Sequence, residues 1–143
     1  MAIDYDQTVA RTRAVLSEDH VAALGDAGRA SLYDAVLAMT FADGVICDEE
    51  ARFLSDFASI IGSQGSDEDL TPDALCATIS ALDLERGPSE AFAKVLLIVT
   101  DLDDDVAASE IELWRQFGTA LDISNDRLMQ IRKLLTQIKA PRN

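Results

Sequence analysis

Shifted by sixty residues, this chain lies over part of itself. Val36–Gly62 placed on Leu96–Asp122 sets Leu37 on Leu97, Thr40 on Thr100, Asp43 on Asp103, Glu50 on Glu110 and Phe57 on Phe117. Ile46 then meets Val106, Phe53 meets Leu113 and Ile61 meets Leu121. The kept positions alternate between apolar residues and two acids, which is what a duplicated helical hairpin would retain. Each unit reads as a helix, a turn entered by Asp, an apolar residue three positions later, and a second helix with Glu in its first turn.

The apolar spacing makes both arms of each unit helical. Val36, Leu37, Thr40 and Phe41 recur at intervals of three and four, as do Phe53, Leu54, Phe57, Ile60 and Ile61, and Val95, Val99 and Leu102. No stretch alternates as a strand would. Thr71-Pro72-Asp73 reads as an N-cap followed by Pro at the first helical position and an acid in the first turn. Gly87-Pro88-Ser89-Glu90 opens another helix, and Ser124-Asn125-Asp126 caps the last. The expectation is an all-α bundle of about seven to eight helices, near 4–16, 18–25, 28–42, 48–62, 72–84, 89–102, 108–121 and 125–139. Gly25 and Gly28 leave open whether the first stretches form one helix or two. Two pseudo-symmetric helical-hairpin repeats, about 28–62 and 88–122, fall inside a single domain spanning 1–143. The segment Gly62–Leu70 joins its halves, since neither half alone could bury its apolar faces.

Charge singles out the middle of the chain. Between residues 39 and 110 there are 17 acids and three bases, while the nine acids and nine bases elsewhere cancel, so the whole net charge of −14 resides there. Such a field repels nucleic acid and anionic head groups and attracts cations or basic partners. No apolar run approaches the length of a membrane span. The first residues, Met1-Ala2-Ile3-Asp4, carry an acid where a secretory leader would carry Lys or Arg. Cys47 and Cys76 lie in apolar surroundings without a CxxC and read as buried thiols, which suits the reducing cytoplasm.

In the first turn, Asp43-Gly44 closes the incoming helix, with Gly supplying a left-handed cap. Glu49 and Glu50 then fall in the first turn of the next helix, where its dipole favours acids. Asp43 bonding the turn amides and Glu50 completing a capping box would account for each acid alone. Two such units packed about a pseudo-twofold axis would instead bring Asp43, Glu50, Asp103 and Glu110 together. Four converging carboxylates without bases call for protonation or a cation, and hard oxygens select Mg²⁺, Ca²⁺ or Mn²⁺. In the second turn Asp104 replaces Gly44, and Asp101, Asp103, Asp104 and Asp105 crowd five positions.

The run Ala38-Met39-Thr40-Phe41-Ala42-Asp43-Gly44-Val45-Ile46-Cys47-Asp48-Glu49-Glu50 resembles the signature of the TerB-like family of tellurite-resistance proteins. It is similar also to the related domain of membrane-tethered J-domain co-chaperones. Asp103–Glu110 is similar to that family's second, weaker copy, and the likeness spans about residues 28–139. The resemblance implies an all-α fold of two pseudo-symmetric halves and a non-enzymatic role in stress, tellurite or metal-ion response. It also implies a divalent-cation site at Asp43, Glu50, Asp103 and Glu110, with Glu49 and Asp104 as outer residues. The partner expected is a protein, basic or membrane-associated. An alternative is a protein–protein interaction module whose acidic turns are structural only. An EF-hand fits poorly, because Met39 and Phe41 stand where its first oxygen ligands belong.

The remaining candidates read as structural. His20, the single histidine, lacks a catalytic constellation and reads as a solvated surface residue. Trp114, Phe117 and Leu121 share a helical face that reads as core or a partner-facing edge rather than a cofactor box. Arg127, Arg132, Lys133, Lys139 and Arg142 form a basic tail interrupted by Asp126 and read as a solvated face. No Glu-x-x-His pair is present, which argues against a carboxylate-bridged di-metal enzyme.

Overall fold

The computed structural model describes residues 5–40, 48–63, 65, 71–99 and 108–139. Within its helices the side chains at 5–8, 49–50, 108–110 and 135–139 are left undescribed. Seven α-helices run in order: α1 Tyr5–Val15, α2 Glu18–Thr40, α3 Asp48–Ile61, α4 Pro72–Ala81, α5 Arg86–Val99, α6 Ala108–Ala120 and α7 Asn125–Lys139. No strand occurs among the described residues.

Local chemistry accounts for most boundaries. Ser17 caps α2, its Oγ accepting from the His20 amide at 3.2 Å. Thr71 caps α4 by accepting from the Ala74 amide at 3.2 Å, and Ser124 caps α7 by accepting from the Arg127 amide at 3.2 Å. Gly25, at φ 71° and ψ 177°, breaks the path of α2, so one continuous element contains two helical arms. The α5 helix starts at Arg86, three residues ahead of the expected position. Pro88 is accommodated in its first turn, where the missing N–H would have had no helical partner. In turn, α4 stops at Ala81 rather than near 84 because Asp83 takes a left-handed conformation at φ 51°.

The core is organised around α5. This helix packs against α1, α2, α6 and α7. Its residues Phe92, Ala93, Val95, Leu96 and Ile98 are wholly inaccessible. A helix apolar on every side is stable only when surrounded. The long α2 packs against α3, α4, α5 and α6, and α4 packs against α6. Leu32 of α2, Phe53 and Phe57 of α3, Leu96 of α5, Trp114 and Phe117 of α6 and Ile131 of α7 join one apolar cluster, so both sides of the 62–70 segment share a core. Phe53 and Phe57 stack with ring centroids 5.6 Å apart. Trp114 fills the core with its indole N–H donating to the Ala93 carbonyl at 2.9 Å.

The two hairpins share their layout. The α3 helix begins at Asp48 and α6 at Ala108, each packed on the helix before it. At their far ends the Ser63 amide donates to the Ala58 carbonyl at 3.2 Å, and the Ile123 amide to the Gly118 carbonyl at 3.1 Å. These are the six-to-one bonds of a Schellman cap, and the cap residues Gly62 (φ 69°) and Asp122 (φ 64°) are both left-handed.

Candidate functional site

The turns that carry the expected cation ligands lie outside the described residues. Asp43 and Asp103 fall there entirely, as do Cys47 and Asp104. Glu50 and its neighbour Glu49 belong to the first turn of α3, and Glu110 to the first turn of α6; their side chains are likewise outside the description. Among the described residues, no group of three or more His, Cys, Asp or Glu side chains is arranged to hold a metal ion.

A polar cleft does open where four helix ends meet. Two adjoining hollows form it, of about 370 and 280 Å³. The larger is walled by Arg86 and Glu90 of α5 and by Ser124 and Arg127 at the start of α7. The smaller is walled by Ser80 and Asp83 at and after the end of α4 and by Thr119 and Asp122 at the end of α6. Leu84, Ser89, Leu121 and Asp122 border both.

An ion-pair clasp forms the floor on one side. Arg127 donates from Nε to Glu90 Oε2 and from Nη2 to Oε1, both at 2.8 Å, in a bidentate fork joining α7 to α5. Its Nη1 donates to Gln130 at 3.1 Å, and Arg86 Nε reaches Glu90 Oε2 at 3.2 Å. The Arg127 hydrogen bonds, joined by those of Arg86 and by both positive charges, hold the Glu90 carboxyl down at about 2 against an opposing effect of burial. The same fork raises the Arg127 guanidinium. Arg127 is therefore half-buried and committed to an acid, a correction to its assignment to a solvated basic face.

His20 also departs from expectation. It is half-buried, with Nδ1 3.3 Å from the Val15 carbonyl and its ring against Gly87 at the start of α5, which makes it a wedge between helices. Cys76 is half-buried on α4 and free; burial and, second, the charge of Asp73 push its thiol up, which keeps it protonated and a poor nucleophile. Trp114, Phe117 and Leu121 are buried, which makes their shared face core and not a partner-facing edge.

Ser89, Glu90, Asp83 and Asp122 do not stand out as a group in the sequence. One signal is present there nonetheless. Ala81-Leu82-Asp83-Leu84 and Ala120-Leu121-Asp122-Ile123 are near-identical tetrapeptides, and each ends a helix with a left-handed Asp. No family model, curated protein or solved structure matches this chain.

Among the described residues no helix is long and apolar enough to cross a membrane.

Proposed function

We propose that the chain is a non-enzymatic, single-domain member of the TerB-like group that binds a divalent cation between its two acidic turns. In this reading Asp43 and Glu50 from the first hairpin and Asp103 and Glu110 from the second supply the ligands. The domain then acts in a stress or metal-ion response in the cytoplasm, through a basic or membrane-associated protein partner.

The observation that carries the reading is the agreement of the two hairpins at a displacement of sixty residues. Their second helices start at Asp48 and Ala108 and close with the same six-to-one cap bond onto residues 58 and 118. Burial agrees as well: Phe57 and Phe117 are both wholly buried, and Ile61 and Leu121 nearly so. Duplicated hairpins with equivalent ends favour equivalent turns, which is the condition for the two acids of each repeat unit to share one ion.

Thermal unfolding with Ca²⁺, Mg²⁺ or Mn²⁺ tests this directly. An ion at 100 times its dissociation constant adds about 2.7 kcal/mol of stability. Asp43→Asn combined with Asp103→Asn should abolish that response while the apo protein still folds. A midpoint unmoved by millimolar ion leaves the acids as helix caps and the chain as a protein-interaction module.

A further inference from the structure

We draw no further inference here: the strongest candidate, the hollow of about 600 Å³ between α2 and α3 that Tyr33 borders beside the small residues Ser55, Ala58, Ser59, Gly62 and Ser63, carries nothing because nothing in the structure shows what covers it.

Discussion

The two hairpins begin from similar patterns and end in different environments. In α2–α3 the second arm of α2 keeps Tyr33, Asp34, Leu37 and Ala38 only half-buried. In α5–α6 the corresponding helix is enclosed, from Val95 through Val99. The difference lies in the helix that comes next along the chain. After α6 the chain forms α7, which packs back on both α5 and α6; after α3 the next described helix is α4, which packs on α2 and α6. Helices aligned at the sixty-residue displacement therefore differ in burial according to which neighbours cover them. Position 118 is Gly because Leu128 of α7 lies over it, close enough that a Cβ there would come within 2.5 Å of Leu128 Cδ2. Sixty residues earlier the same position is Ala58, half-buried with no counterpart of α7 above it among the described residues. The clasp obeys the same logic: the residue matching Glu90 is Ala30, which offers an arginine nothing to hold.

The sharpest test of this asymmetry is truncation of matched core residues. Trp114→Ala removes the larger side chain and its bond to Ala93, and should cost about 3–5 kcal/mol in urea-induced unfolding. Leu54→Ala at the matching position should cost about 2–3 kcal/mol. Equal costs would mean that the two hairpins are equally embedded. Next in size is Gly118→Ala, expected to destabilise by about 1–3 kcal/mol through overpacking against Leu128, even though alanine is the better helix former. Joining it with Leu128→Ala should recover the helix-propensity gain of the alanine, and failure of that coupling would remove Leu128 as the cause.

The clasp should show itself in acid. The Glu90 carboxyl is lower when folded than when unfolded, so the stability it supplies is present above the ordinary glutamate range and is lost as pH falls from about 5 toward about 2. Glu90→Gln should cost about 1–2 kcal/mol at neutral pH and almost nothing near pH 2, flattening the acid limb of the stability curve. A parallel displacement of the whole curve would contradict the pairing. The smallest effect belongs to the caps. Asp122→Gly should stabilise by about 0.5–1 kcal/mol by relieving a left-handed aspartate, whereas Gly62→Ala should destabilise by about 1 kcal/mol, both read as thermal midpoints.

Legibility in the sequence tracks the range of the forces involved. The Thr71-Pro72 and Ser124 starts are readable because a cap bonds an amide three residues away. Phe53, Phe57, Trp114 and Phe117 belong to the core by spacing alone. The start of α5 lies three residues ahead of the expected one because Gly87-Pro88, which reads as punctuation before a helix, forms its first turn. Arg127 reads as part of a solvated face because its acid lies 37 residues away on another helix, and no local pattern announces such a pair. His20 misleads for the same reason: the surface that covers it belongs to α5.

The helical character of the chain, the sites where most helices begin and the apolar face each turns inward are properties of the sequence alone. All of these rest on contacts within one or two turns of the backbone. Three-dimensional packing makes α5 the central helix, brings Arg127 to Glu90 and gathers the ends of α4, α5, α6 and α7 around Ser89. Those features require segments tens of residues apart to be packed together. That packing arises from the shared burial of several apolar faces at once, a condition no single stretch of sequence contains.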